Sequence, residues 1–252
     1  RTPILSADGR FVAFVSTSRQ IVTDPTQLPA NGRAAVFVHD SQAGSTTVAS
    51  LAHDGRGLAT GVGSQAPSLE FDLSADGQYV FFATDAPNVH PDRAQAASQT
   101  YHWTYRRHRQ TGLVDIVCRN AAGEVPTGNF TTPRCDGTGS RVILAGAFVG
   151  LGGGPTLVPG YSAPFGTDLY VKDLATGEAW RISRTTDDGP PDGAFVPGTH
   201  AISRAGPSSS PNPPTRPPRS TRMRSMCFAP TSVRPARCAP NWSPVPSSAR
   251  KT

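Results

Sequence analysis

The sequence contains no run of eighteen apolar residues, so it holds no membrane-spanning helix. It has no Cys-x-x-Cys pair and no histidine at ligand spacing from Cys118, Cys135, Cys227 or Cys238, which argues against a structural zinc site. Cys118 and Cys135 then read as two independent buried thiols, or as a disulfide if their strands are neighbours; the thiols are favoured. No stretch has the apolar period of an amphipathic helix of useful length. Met and a signal-like segment are missing ahead of Arg1, which is expected of an excerpt or a processed form.

Acidic residues are missing from one end. Residues 205–252 carry eight of the 24 Lys/Arg and none of the 18 Asp/Glu, so residues 1–204 carry 16 basic groups (24 − 8) against 18 acidic, a net of −2. The overall charge of +6 and pI of 9.5 therefore belong to the tail, and the folded part is not basic. Glycine and proline are abundant, 25 each in 252 residues, which suits many short strands joined by tight turns in a chain long enough for one large all-β domain.

The chain repeats itself. Leu5-Ser6-Ala7-Asp8-Gly9-Arg10-Phe11-Val12-Ala13-Phe14 recurs as Leu73-Ser74-Ala75-Asp76-Gly77-Gln78-Tyr79-Val80-Phe81-Phe82, more loosely from Cys135 to Leu144 around Gly139, and begins again at Ile202-Ser203-Arg204. The turn glycines Gly9, Gly77, Gly139 and Gly206 are 68, 62 and 67 residues apart. Two further landmarks keep step: strands ending at Gly44, Gly112 and Gly177, and the pairs Asp54-Gly55, Ala122-Gly123 and Asp188-Gly189.

Asp-Gly between apolar runs supplies the positive φ of a tight hairpin, and a preceding serine can bond its own turn. Ser6, Asp8, Gly9, Ser74, Asp76, Gly77 and Gly139 are accordingly read as structural turn residues. In the third unit Thr138-Gly139 replaces Asp-Gly, so that corner is expected to be looser. One period yields four strands, exemplified by 68–73, 79–83, 104–108 and 113–119. Several are apolar on both faces, and a four-stranded sheet cannot bury two faces alone, so copies must stack. The expected fold is an all-β propeller of three four-stranded blades in an incomplete, open array over residues 1–204, with units starting near 5, 73 and 135 and a truncated fourth at 202. A β-sandwich of repeated hairpins is the alternative, less able to hold a period across three units.

These residues resemble the TolB-like, WD-like propeller repeats of bacterial envelope and secreted proteins, whose units open on Ser-x-Asp-Gly-(Arg/Lys) followed by an apolar run. The unit continues to a strand such as Leu169-Tyr170-Val171-Lys172-Asp173 and a Thr176-Gly177 turn. The resemblance covers Ile4 to about Arg204. It implies an extracytoplasmic location, periplasmic, envelope or secreted, and a role as a binding scaffold or a non-catalytic domain beside an enzyme.

The period exceeds a usual blade because of long segments between second and third strands, at 17–33, 85–101 and 148–167. Equivalent insertions project from one face, so they are expected to form a single rim where a ligand binds. Beyond Arg204 the pattern stops inside a motif. The following residues, with eleven prolines and no acid, are expected to be a disordered Pro/Arg-rich tail. A reading-frame shift is favoured over a native basic tail that binds nucleic acid, because the break falls within a unit. Three blades also fall short of a closed ring. Apolar faces are therefore expected at both ends, with Phe11 and Phe14 on one, giving a fragment, an aggregating species or a partner-completed ring.

Chemistry is sparse. Gly150-Leu151-Gly152-Gly153-Gly154 lacks the Gly-Lys-Ser/Thr ending of a phosphate loop, and Gly160-Tyr161-Ser162 lacks the closing glycine of a nucleophile elbow. Tyr101, His102, Trp103, Arg106 and Arg107 form a possible binding cluster; with His108 and Arg109 they could hold an anion or single-stranded nucleic acid, although a solvated strand end is favoured. No catalytic residue, cofactor or metal site is identified. The favoured function is a non-catalytic module that binds a protein, peptide or glycan through the rim. The alternative is the propeller domain of a hydrolase or lyase, and nucleic acid enters only through the tail.

Overall fold

The hairpin corners organise the chain. The computed structural model describes residues 2–29, 33–59, 70–95, 101–148, 156–158, 167–186 and 200–204. Their strands form three four-stranded antiparallel sheets, each in chain order. Blade 1 comprises β1 (Ile4–Leu5), β2 (Phe11–Ser16), β3 (Ala35–Asp40) and β4 (Ser45–Val48). Blade 2 comprises β5 (Phe71–Leu73), β6 (Tyr79–Thr84), β7 (Trp103–His108) and β8 (Val114–Ile116). Blade 3 comprises β9 (Gly128–Cys135), β10 (Arg141–Phe148), β11 (Asp168–Asp173) and β12 (Ala179–Arg181). Helical structure among the described residues is a 3-10 turn at Pro25–Gln27 and one short helix, α1 (Pro91–Gln95), neither long enough to cross a membrane.

Each corner closes through its own side chains. The Ser6 hydroxyl donates to Asp8 Oδ1 at 2.5 Å and accepts from the Phe11 amide at 2.9 Å, while Asp8 accepts from the Arg10 amide at 3.0 Å. Ser74 and Asp76 repeat this with Tyr79 and Gln78. The third corner exchanges the two chemistries. Asp136 stands in the serine position and accepts from the Ser140 amide at 2.9 Å and the Thr138 hydroxyl at 3.2 Å. Gly139 keeps φ at +68°, beside +70° at Gly9 and +69° at Gly77. The looser corner expected from the sequence is therefore corrected: carboxylate and hydroxyl have changed places, and the turn still closes.

The corners also hold the blades together. The Ala7 amide donates to the Ala75 carbonyl at 2.7 Å, and the Ala75 amide donates to the Gly137 carbonyl at 2.8 Å. The aromatic residue two places after each turn glycine lies on the next turn glycine. A Cβ on Gly77 would sit 2.2 Å from Phe11 Cδ2, and one on Gly139 would sit 2.9 Å from Tyr79 Cδ2. Only glycine permits both that approach and the positive φ. The series ends at blade 3, where Arg141 replaces the aromatic and pairs with Asp173 at 3.1 Å.

One buried apolar cluster runs through the three sheets, taking Phe11, Ala13 and Val38 from blade 1, Phe81 and Tyr105 from blade 2, and Phe130 and Tyr170 from blade 3. Fully burying each of the phenylalanines contributes about 1.5–3 kcal/mol. The expected apolar end at Phe11 and Phe14 is corrected at Phe11, while Phe14 stays half-buried on the face away from blade 2. Phe11 shares a face with Ala13 and points into blade 2, and Phe14, on the opposite face, stacks on Phe37 at 5.6 Å. Phe37 in turn belongs to a second cluster with Leu28, Ala35, Val48 and Leu51, against which Ile21 and Val22 of the β2–β3 loop pack. On blade 3 the side away from blade 2 is more open, with Leu169, Val171 and Trp180 half-buried and Ile182 46% exposed.

Cys118 and Cys135 are buried free thiols. Burial pushes the Cys118 thiol up to about 12 and Cys135 well above its usual value, so both stay protonated and inert. The glycine-rich segment 150–155, Ser162, Cys227, Cys238 and the tail 205–252 lie outside the described residues.

Candidate functional site

The first candidate is the loop rim. Its described parts lie back on the blades, because each loop returns one apolar side chain to the interior: Leu28, Val89 and Leu157 are 7%, 0% and 1% exposed. Polar groups then link the loops to the turns between blades. The Gly57 amide donates to the Thr26 carbonyl at 2.8 Å, and Asn88 bonds both the Gly57 carbonyl at 3.1 Å and the Ala59 amide at 2.8 Å. His53 Nδ1 reaches the Asn88 carbonyl at 3.0 Å. On the next blade Asp92 pairs with Arg119, and the Asn120 amide group donates to the Thr156 carbonyl at 3.3 Å. Loops and turns from three blades thus form one continuous polar belt.

Charge on the belt is locally balanced. His90 Nδ1 lies 3.8 Å from Asp92, but burial lowers the His90 pKa and favours the neutral ring. The Thr26 hydroxyl and amide hold Asp24 below the usual carboxylate range. Asp54, Arg56 and Glu124 face solvent beside these links.

The second candidate lies where the innermost strands meet. A cavity of about 270 Å³ is lined by Thr2, Ile4, Phe71, Asp72, Arg134 and Arg204. Asp72 is 1% exposed, and its carboxylate accepts from the Leu73 amide at 2.9 Å, the Cys135 amide at 2.8 Å and the Arg204 guanidinium at 3.0 Å. Arg204 also donates to the Leu5 carbonyl at 3.2 Å, so one side chain ties blades 1 and 2. Nearby, the β9–β10 register shifts between Ile143 and Ala145, which leaves Thr132 at φ +50°. The Thr132 amide donates to Glu70, and its carbonyl accepts from His200 Nε2 at 2.7 Å. Burial lowers the His200 pKa. Asp72 is thus held by backbone amides and Arg204, and His200 by a backbone carbonyl. Among the described residues no group of three or more His, Cys, Asp or Glu side chains could hold a metal ion.

The structure separates the residues that the sequence groups together. Tyr101 offers its carbonyl to buried Arg93 at 2.8 Å, and His102 pairs through its backbone with Asn129 and Phe130. Trp103 is 3% exposed, under the Arg93 guanidinium at 4.2 Å. Arg106 turns toward blade 3, holding Asp115 at 2.7 Å and the Gly139 carbonyl at 3.1 Å, over the Tyr79 ring. Arg107, one residue on, faces blade 1 and donates to the Leu51 and Ala52 carbonyls at 3.4 and 3.2 Å. Alternation along a strand sends the two guanidinium groups to opposite faces. Asp72, Arg204 and Asn88 escaped sequence reasoning. The available signal for Arg204 was its place in the repeat, where the other copies carry Ala7, Ala75 and Gly137.

No family model and no curated protein matches the chain. Among solved structures, the chain is similar to a putative TolB from Agrobacterium tumefaciens, with 13% identity and a TM-score of 0.39 over 70% of this chain and 46% of that one. It is similar to an oligogalacturonate lyase in complex with manganese, with 16% identity and a TM-score of 0.38 over 71% of this chain and 38% of that one. It is also similar to prolyl endopeptidases, with 15% identity and a TM-score of 0.40 over 72% of this chain and 22% of that one. The chain therefore spans less than half the length of each of these structures.

Proposed function

We propose that this chain is a non-catalytic binding module that holds a polar ligand, a protein segment, peptide or glycan, on its loop rim. The observation that carries the reading is the continuous belt: Thr26, Gly57, Asn88, Asn120 and Thr156 join loops and turns from successive blades by hydrogen bonds. A surface assembled in this way is preorganised, so less ordering entropy opposes binding. Buried anchors at Leu28, Val89 and Leu157 hold it to the scaffold. An extracytoplasmic location goes with this reading, on the resemblance of the Ser-x-Asp-Gly repeats.

The test is a screen of peptide and glycan arrays with the whole chain. It is repeated with the variant Asp54→Ala/Arg56→Ala, which removes rim charges and leaves the side chains of the belt intact. Ligands that bind the parent should bind the variant at least tenfold more weakly, with the thermal midpoint unchanged. Ligands that bind both equally, or that are lost instead on Arg134→Ala at the axial cavity, overturn the rim as the binding face.

A further inference from the structure

A different region carries two cations without countercharge. Arg10, Arg106, Arg119, Arg141 and Arg204 each hold an aspartate. Arg107 and Arg109 differ. They project from the same face of blade 2 toward blade 1, and their guanidinium groups bond backbone carbonyls, Leu51 and Ala52 for Arg107 and Gly77 at 2.8 Å for Arg109, which also lies over the Phe11 ring at 3.8 Å. Among the described residues neither forms a salt bridge. Asp40 lies near enough to act on Arg109 at a distance, but its carboxylate is held by Arg10 at 2.9 and 2.7 Å.

Both guanidinium groups line one cleft of about 220 Å³ between the first two blades, opposite Thr47 of β4 and Gln27 of the β2–β3 loop. At about 30 Å³ per water, this volume takes a tetrahedral oxyanion together with several waters. Burial depresses the pKa of both arginines, the direction expected of cations withdrawn from water without an anion beside them. Neither can lose its proton near neutral pH. The cost of burial is therefore relieved by an incoming anion. The bonds described engage Nη1 of Arg107 and Nε of Arg109, so further N–H groups of each planar fork remain to present to a ligand. The Thr47 hydroxyl and the Gln27 amide, which also reaches Asp24 at 3.4 Å, supply neutral donors on the opposite wall.

We propose that this cleft is a binding site for a tetrahedral oxyanion of the phosphate class, gripped by Arg107 and Arg109. Such a ligand bridges two blades, because Arg107 and Arg109 stand on blade 2 while Thr47 stands on blade 1. The site is separate from the rim charges, and it stands or falls independently of the function proposed for them.

The experiment is isothermal titration calorimetry of the whole chain with inorganic phosphate at matched ionic strength, chloride serving as the blank. The expected result is saturable binding with one ion per chain, weakened at least tenfold by Arg109→Gln and partly restored by Arg109→Lys. Arg107→Gln should weaken it likewise. Because Arg107 bonds blade 1 and Arg109 stacks on Phe11 of blade 1, a failure of one glutamine variant to fold leaves the decision with the other. Addition of phosphate should raise the thermal midpoint of the parent more than that of Arg109→Gln, a difference that general salting effects would not produce. Tighter binding of inorganic phosphate than of O-phosphoserine assigns the cleft to the free ion, and the reverse order assigns it to a phosphate carried on a larger molecule; either supports the site. Absence of saturable heat in the parent, or equal affinity in the parent and Arg109→Gln, overturns it.

Discussion

The two ends of the blades are built on opposite principles. At the corner end, one short motif does the same work in each copy: a hydroxyl and a carboxylate close the turn, and in the first two blades a backbone bond reaches the next corner and a ring covers the next turn glycine. At the rim end, the loops differ in sequence and are linked by bonds of two kinds, asparagine side-chain amides at Asn88 and Asn120 and a salt bridge at Asp92. What recurs there is one apolar anchor per loop. The contrast teaches that repetition of sequence is demanded where copies touch one another directly, while a rim needs only repetition of placement. Variation in sequence is tolerated on that side.

The strongest way to break this comparison is at the first corner interface. Phe11→Ala should cost about 3–5 kcal/mol, as for other buried aromatics. Gly77→Ala should cost about 2–5 kcal/mol, combining αL strain with overpacking against Phe11. Gly9→Ala has the same φ but open space around it, so it should lose only the strain, about 1–2 kcal/mol. Denaturant midpoints decide the matter: if the two glycine variants lose equal stability, the ring-on-glycine contact has no energetic content. In the double variant, Phe11→Ala should relieve part of the Gly77→Ala penalty.

The rim side is sharpened by Leu157→Ala, expected to cost about 2–5 kcal/mol through its cavity. A loss under 0.5 kcal/mol, the range of an ordinary surface change, would show that this loop is not anchored. A smaller effect is expected from Ser74→Ala. It removes the acceptor for the Tyr79 amide and should cost about 1–3 kcal/mol, measured in the same way.

The smallest effect is a pH dependence. His200 has a folded pKa below its usual 6.5, so the unfolded chain binds its proton more readily. Stability should be constant above that value and decline as the pH falls through it, and His200→Gln should reduce the slope between pH 7 and 5. A slope unchanged in His200→Gln would remove His200 from the account. At lower pH, Asp8 and Asp40 add a second decline. Both are held below 3.8 in the folded chain, Asp8 first by the Ser6 hydroxyl and Asp40 by the Arg10 guanidinium, so the stability they contribute is present above that value and lost as acid protonates them.

The corner end was legible because its instructions are local. Ser-x-Asp-Gly names a turn by chemistry within a few residues, and the spacing of its copies implies the stacking. Even so, the third corner is not legible as Asp-Gly: Asp136 accepts the Ser140 amide from the serine position, and the Thr138 hydroxyl donates to Asp136 from the aspartate position. The rim was readable as a set of loops but not as a belt, since bonds such as Asn88 to Gly57 join residues 31 apart in sequence. The cluster at Tyr101 to Arg109 is divided between two faces for another reason. Alternation separates Arg106 from Arg107, but which neighbour lies on which side is a property of the stack, absent from the strand. Asp72 and Arg204 stand 132 positions apart and meet only when the fourth unit begins.

The corner-to-corner bonds from Ala7 to Ala75 and from Ala75 to Gly137 have a direction: the amide of the earlier copy donates and the carbonyl of the later copy accepts. A chain of this kind can be lengthened only head to tail, as a spiral stair accepts steps of one hand. Two molecules facing each other across a two-fold axis would present donor to donor and could not continue it, so any neighbour that extends the stack must enter in the same rotational sense.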